Sequence, residues 1–360
     1  MLKKLMKSKK KINIIYILPA HKSASGGSKV IYQHSEIINK FGIENISSKI
    51  LHLKKRKMAK FRLSLKKKIY NKNSKNYGWL ANEMTVASNF IPPSSWNKSK
   101  IQIKSDMNFN PNTDFVIIPE IWAHFAYDLL IRHKIKYAIF ALGAYAMNSF
   151  YDHEKLSKAY SKAEFILTVS DDTSKCVKFI FPNCRNKVFK INLSIDHKKF
   201  KIPKKKDNLI TFIPRALTDH FHILSLFLFK KLPKKWRIEP LSNLDEKQLF
   251  KKLSSSKIFL SFSYITGLGM PPIEAAIAGN KVIGYTGEGG KDFFKKPIFE
   301  EVESGNIKHF CEEILNTVNN YPKNWDQKTR FQRKQLIQKY SIINEEKLIK
   351  KLINKVYSSY

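Results

Sequence analysis

SSSKIFLSFSYITGLGMPPIEAAIAGNKVIGYTGEGGKDFF, residues 254–294, reads as a strand, a glycine turn, a proline-started helix, a second strand and a second glycine loop. Residues 258–262 are a short apolar run suited to a buried parallel strand. Thr266-Gly267-Leu268-Gly269 lets the backbone turn sharply, and Pro271 and Pro272 pre-set helical φ. A helix starting there aims unpaired N–H groups and the positive end of its dipole at the strand ends, which favours an anion such as a diphosphate. Glu274 is expected in the first helical turn, where its carboxylate could accept hydrogen bonds from two ribose hydroxyls. An acid at that position also serves the dipole alone, for roughly 0.3–1 kcal/mol. The glycines, the proline pair and the following Gly289-Gly290 loop together favour the ligand role.

At 360 residues, with 43% hydrophobic and 12% aromatic content, the chain predicts two domains, each with its own core. The longest nearly apolar runs, 137–147 and 221–229, fall short of the ~20 residues of a spanning helix, so none is expected. The opening MLKKLMKSKKK, followed by INIIYILPA, imitates a signal peptide, but the apolar part is short and leads into a glycine pair and an amphipathic helix. It is read as a basic tail and first strand. The net charge of +37 sets up an attractive field for polyanions, either an anionic membrane surface or a lipid-diphosphate acceptor. The lysines are nevertheless spread along the whole chain, as a compositional bias alone would leave them. Zinc-finger spacing, the motif of an RNA-binding sheet and a recognition helix are all missing, which argues against a nucleic-acid partner. Cys176, Cys184 and Cys311 have neither CxxC spacing nor an even count, and the histidines show no HExxH pattern. The default is therefore a reducing cytoplasm with no metal site.

Strand-like and helical periods alternate along the chain, the pattern of α/β domains with parallel sheets. Residues 12–18 are a first strand, Gly26-Gly27 a loop, and residues 28–41 an amphipathic helix closed by Gly42. A second strand at 46–53 leads into a Lys-rich irregular region, about 54–110. Within it Met58, Phe61, Leu65 and Ile69 recur at helical spacing, suiting either anionic lipid or the protein's own surface. Further strands are expected at 115–118, 136–142, 165–169, 187–191 and 209–213. Glu120 and His124 follow one strand end and Tyr145 another, where a doubly wound sheet opens on its ligand crevice; helix capping and packing explain them equally well. Residues 201–207 are a charged, proline-marked hinge. Ser242-Asn243-Leu244-Asp245 reads as a capping box for a helix through Leu253, and helices are expected at 307–318, 325–340 and 344–357.

The 209–294 segment resembles the nucleotide-sugar site of the group 1 (family 4) glycosyltransferases, whose signature is E-x7-E around G-x-G-x-P-x-x-E. Here the second acid is Glu274, the glycines and prolines are Gly267, Gly269, Pro271 and Pro272, and the first acid is replaced by Thr266. Thr266 can hydrogen-bond a sugar hydroxyl but supplies no negative charge beside a developing oxocarbenium ion. Asn192-Leu193-Ser194-Ile195-Asp196 resembles the family's N-G-V-D linker, with Ser194 in place of Gly. Arg215 matches the family's diphosphate-pairing arginine, and its planar fork suits phosphate oxygens. The companion lysine is missing: Ala216 follows, and His220 lies a turn later.

The resemblance implies an α/β GT-B fold, two Rossmann-like parallel-sheet domains facing a central cleft. The expected divisions are residues 1–200 for the acceptor domain, 207–325 for the donor domain, and 326–360 for helices crossing back to the first. It implies a retaining glycosyltransferase moving a hexosyl or deoxyhexosyl group from a nucleotide-diphosphate sugar to a glycan or lipid-linked acceptor in cell-surface polysaccharide assembly. Arg215 and Thr266 would act at the reacting centre. Gly267, Leu268, Gly269, Met270, Pro271 and Glu274 would hold the donor, and Gly26, Gly27, Glu120, His124 and Tyr145 would line the cleft or meet the acceptor. The nucleotide sugar is substrate, not cofactor, and the Asp-x-Asp metal motif is absent. The expected place is the cytoplasm, including the inner membrane face. A catalytically degenerate GT-B protein acting as a nucleotide-binding or scaffold subunit is the rival reading, motivated by Thr266 and the missing lysine.

Overall fold

The computed structural model describes residues 10–20, 26–55, 84–93, 96–97, 99–149, 152–214 and 217–360. The amphipathic pattern at 58–69 and the dipeptide Arg215-Ala216 lie outside them. The chain divides into two units, Met1–Val169 with Thr173–Ile191 and Glu346–Tyr360, and Ser170–Asp172 with Asn192–Glu345.

In the first unit β1 (Ile12–Pro19) and the helix α1 (Gly26–Lys40) are followed by β2 (Ile46–Lys55), β3 (Met84–Val86), β4 (Asp114–Pro119) and β5 (Lys136–Ala141). Then come α2 (His153–Lys162), β6 (Phe165–Thr168), α3 (Asp171–Ile180) and β7 (Val188–Lys190). The sheet order is β3-β2-β1-β4-β5-β6-β7, parallel except for β3, which runs antiparallel to the end of β2. β1 is apolar on both faces because it is central, flanked by β2 from Ile12↔Ile46 to Pro19↔Leu53 and by β4 from Asn13↔Asp114 to Tyr16↔Ile117. One buried cluster joins Ile15, Ile17, Val116, Ile118, Ile139 and Ile166 of four strands to Leu156 and Tyr160 of α2. The glycine pair expected in a loop is instead the first turn of α1, which still buries Val30, Ile31, His34, Ile37 and Ile38. The short β3 carries too few residues for a period-2 signal.

The second unit holds β8 (Asp207–Phe212), α4 (Thr218–Leu228), β9 (Arg237–Pro240), α5 (Glu246–Ser255), β10 (Ser256–Thr266), α6 (Met270–Ile277) and β11 (Lys281–Glu288). β12 (Phe299–Glu301), α7 (Ile307–Asn319), α8 (Trp325–Lys339) and α9 (Ile342–Ser358) end the chain, α9 passing from the second unit into the first. The order β12-β11-β10-β8-β9 is parallel throughout. Phe212, Phe262, Tyr285 and Phe310 anchor its core. The capping box of α5 is formed by Asp245 and Gln248, not by Ser242 and Asp245: each side chain bonds the other's backbone N–H, at 2.8 and 3.0 Å. Asp245 wins because its backbone is extended, as an N-cap requires, and its acceptor is charged. Among the described residues no helix is long and apolar enough to cross a membrane.

Residues 346–360 complete the first unit's core. Ile349, Leu352, Ile353 and Val356 are at most 1% exposed, and the Tyr360 hydroxyl donates to the Asp114 carbonyl at 2.7 Å. Burying four such side chains contributes roughly 6–12 kcal/mol, comparable to a domain's whole stability. Truncation after Glu345 is therefore expected to unfold the first unit. Limited proteolysis should show rapid cleavage within residues 114–141 and 152–169 of the truncated chain and resistance there in the full chain.

Candidate functional site

In the second unit the chain runs from β8 to β9 on one side and then crosses through α5 to β10 on the other side of β8, so the topological switch lies at the β8–β10 boundary. Ligand crevices of doubly wound sheets open there, outside the carboxyl ends of the strands. Thr266 is the last residue of β10, where its pairing with β11 shifts register after Ser263. Gly269, at φ +76°, is the N-cap of α6 in a left-handed conformation that glycine adopts without cost. α6 ends in a Schellman motif: the N–H of Gly279 bonds the Ala276 carbonyl at 3.0 Å and that of Asn280 the Ala275 carbonyl at 3.0 Å.

This helix start differs from expectation in two ways. Glu274 is the fifth residue of α6, because the left-handed Gly269 delays the helix to Met270. It lies in the second turn, where the helix dipole has largely faded, so the purely electrostatic reason for an acid is weaker. Pro271 and Pro272 fill the second and third positions and have no N–H, leaving Met270 and Ile273 as the donors of the first turn. Leu268 is 4% exposed and anchors the loop in the core, so a ligand at this loop meets its backbone and not its side chain.

The second glycine loop braces the first. A Cβ on Gly289 would lie 1.9 Å from the Gly267 carbonyl oxygen, and one on Gly287, at φ +62°, would lie 2.3 Å from that of Tyr264. The Thr266 hydroxyl donates to the Gly287 carbonyl at 3.3 Å, so toward a sugar hydroxyl it is left as an acceptor. His220 is tied to the Tyr285 hydroxyl at 3.0 Å. Sequence reading missed a cavity of about 490 Å³ at the carboxyl ends of β10, β11 and β12, lined in part by Ser263, Tyr285, Gly287, Glu288 and Lys291. Gly287 was its legible trace. Among the described residues no group of three or more His, Cys, Asp or Glu side chains could hold a metal ion.

In the first unit the switch lies between β1 and β4. α1 begins after β1 with Gly26 and Gly27, and Glu120 follows β4. A Cβ on Gly27 would sit 3.0 Å from Cδ1 of Leu142, and the backbone N–H groups of Leu142 and Gly143 donate to Glu120. Gly27 and Glu120 thus meet on the Leu142-Gly143 turn. Glu120 is 5% exposed, its Oε2 has no hydrogen-bond partner among the described residues, and burial pushes its pKa up to about 7 against those backbone donors. His124, at 3% exposure, stacks at a tilt on Phe125, 4.1 Å between ring centroids. Tyr145 is half-buried against the core.

Two outcomes test these geometries. Gly289→Ala forces the glycine loops apart and should cost about 1–3 kcal/mol. Gly290→Ala meets nothing nearer than 3.4 Å and should be close to neutral in the same thermal unfolding experiment. For Glu120, both states are protonated below the ordinary value of 4.5, whereas between 4.5 and about 7 only the unfolded state is ionised. Its contribution is full below pH 4.5 and lost as pH rises through 7, on the order of 3 kcal/mol. Amide exchange of β4 and β5 in the full chain should show this decline, and Glu120→Gln should flatten it when compared with the parent at each pH.

The fold has solved counterparts over nearly its whole length. Sucrose-phosphate synthase from Thermosynechococcus elongatus matches with a TM-score of 0.65 and 12% identity, covering 97% of this chain and 100% of that one. HepE from Anabaena, solved in complex with UDP, matches at 0.64 and 9% identity over 97% and 100%. A glycosyltransferase from Rickettsia africae matches at 0.59 and 14% identity over 96% and 97%. The fold is GT-B. No protein-family model and no curated protein sequence matches the chain.

Proposed function

We propose that the chain is a glycosyltransferase that moves a sugar from a nucleotide-diphosphate sugar to a glycan or lipid-linked acceptor, with retention at the anomeric carbon and without a bound metal. The observation that carries this reading is the glycine-braced start of α6, opening outside the carboxyl ends of parallel strands beside the switch point of a GT-B fold. In the transfer the bond from the anomeric carbon to the diphosphate breaks, and a bond to an acceptor oxygen forms as the proton of that oxygen passes to the departing phosphate. Negative charge grows on the departing phosphate. Arg215 and the N–H groups of Met270 and Ile273 are the donors assigned to it, in place of a cation. Glu274 takes the ribose hydroxyls and Thr266 accepts from a hydroxyl of the sugar. On the acceptor side Gly27 permits close approach, Tyr145 offers a hydroxyl, and Glu120 positions the Leu142-Gly143 turn. The net charge of +37 suits work at an anionic surface in polysaccharide assembly.

The second reading, a scaffold that binds nucleotide without catalysis, rests on Thr266: an acid is replaced by a hydroxyl already donating to Gly287. Calorimetric titration with UDP, GDP and dTDP sugars, donor turnover being followed in the same samples, separates the two. The transferase reading expects saturable binding of one nucleotide class, weakened about tenfold or more by Arg215→Ala and by Glu274→Ala, and turnover that requires acceptor. Binding without turnover across glycan and lipid-linked acceptors favours the scaffold, and binding of none of these donors overturns both.

A further inference from the structure

The sheet of the second unit carries another concave site at its opposite edge. The residues just before or at the starts of β8, β9 and β10, together with the end of α7, the α7–α8 connection and α8, enclose a cavity of about 700 Å³, well within the range of small-molecule sites. β10 runs from Lys257 in this cavity to Thr266 at the glycine turn, and at ~3.3 Å per residue that sets the two about 30 Å apart. Seven of its lining side chains are Lys or Arg, and one, Asp326, is an acid. The proline-marked run before β8, which sequence reading treats only as a hinge, supplies Lys204, Lys205 and Lys206.

Two of these cations are built in. Lys206 Nζ donates to the carbonyls of Ser256 and Ala278 at 2.8 and 2.6 Å. Burial, followed by the Arg333 charge, lowers its pKa to about 7. Lys257 is held by Asn208 at 2.6 Å and lies over the rings of Tyr321 and Trp236, at 5.1 and 5.6 Å. Burial lowers its pKa first, then the charges of Lys205 and Lys235. Trp236, 5% exposed in the wall, leaves its indole N–H without a partner among the described residues. Like charges therefore converge on a cavity whose single carboxylate, Asp326, is already paired with Arg333.

We propose that this cavity is a second binding site, for a multiply charged phosphate group carried by a soluble phosphate ester or a lipid headgroup. A dianion or polyanion relieves the repulsion among the lysines, and compact ammonium groups suit phosphate oxygens as point charges. Lys204, Lys205 and Lys235 are exposed and reach the ligand first, while Lys206 and Lys257 shape the floor.

The test uses the full chain and tripolyphosphate, titrated by calorimetry at fixed ionic strength. Saturable binding is expected. The triple variant Lys204→Glu, Lys205→Glu, Lys235→Glu should weaken it about tenfold or more, whereas the same charge change at exposed Lys247, Lys251 and Lys308 should weaken it less than about threefold. Arg215→Ala should leave this affinity within about twofold, which separates the site from the proposed donor site whether or not that one binds nucleotide. Vesicles containing phosphatidic acid, whose phosphate monoester can carry two charges, identify a headgroup as its source if they displace the probe; if they do not, the source is a soluble ester, and both support the site. No saturable binding, or equal weakening by the two triple variants, overturns it.

Discussion

The second unit depends on one close approach of backbone to backbone, Gly289 against the carbonyl of Gly267. No side chain larger than hydrogen fits between them. The contact seats the loop after β11 on the loop after β10, and the Thr266 hydroxyl ties the same two loops through Gly287. Gly269 can then hold its left-handed φ, and α6 starts where its remaining N–H donors face out from the strand ends. The far end of the helix is held as firmly. Asn280, fully buried, donates to Leu253 and Ala275 and accepts from Ser256, which uses all its amide donors. A helix pinned at both ends gives fixed donors, and electrostatic stabilisation of a leaving group requires donors that do not reorganise during reaction.

The two edges of this sheet solve anion recognition differently. At the carboxyl edge, backbone N–H groups and glycines allow close contact without a crowd of side-chain charge. At the amino edge, lysines gather around aromatic walls, and the cost of burying ammonium groups, followed by that of bringing like charges together, appears in the lowered pKa values of Lys206 and Lys257. Lys206 links the edges physically, since it holds the Ala278 carbonyl at the C-cap of α6. The first unit repeats the plan of strand ends, glycine and turn, with a buried carboxyl in place of a second glycine loop. Glu120 gathers two N–H groups of the turn after β5 at the expense of its own ionisation.

Central strands were legible in the sequence because burial on both faces leaves uninterrupted apolar runs, as at Ile12–Pro19 and Asp114–Pro119. Short edge strands were not: Met84–Val86, Arg237–Pro240 and Phe299–Glu301 are held by pairing with neighbours distant in sequence. Boundaries moved wherever a local signal had two solutions. Gly26 and Gly27 could end a loop or open a helix, and packing on Leu142 suits the latter; Ser242 and Asp245 could each cap α5, and Asp245 does so with an extended backbone and its side chain on the Gln248 N–H. Glu274 shifted by a turn because the start of the helix is set by Gly269, whose φ no composition rule supplies.

By itself the sequence determined the alternation of strand and helix, the two-unit plan, and the glycine–proline junction at residues 266–274, since these are written in local periodicity and in residues with restricted or unusual φ. Tertiary structure alone decided which groups meet. The contact of Gly289 with Gly267, the carboxyl of Glu120 on the Leu142-Gly143 turn, and the lysines gathered at the amino ends of β8, β9 and β10 each join residues that adjacency along the chain does not relate. The reason is physical: propensity and pattern act over a few residues, whereas desolvation, like-charge repulsion and backbone approach depend on distances that exist once the sheet has set its strand order.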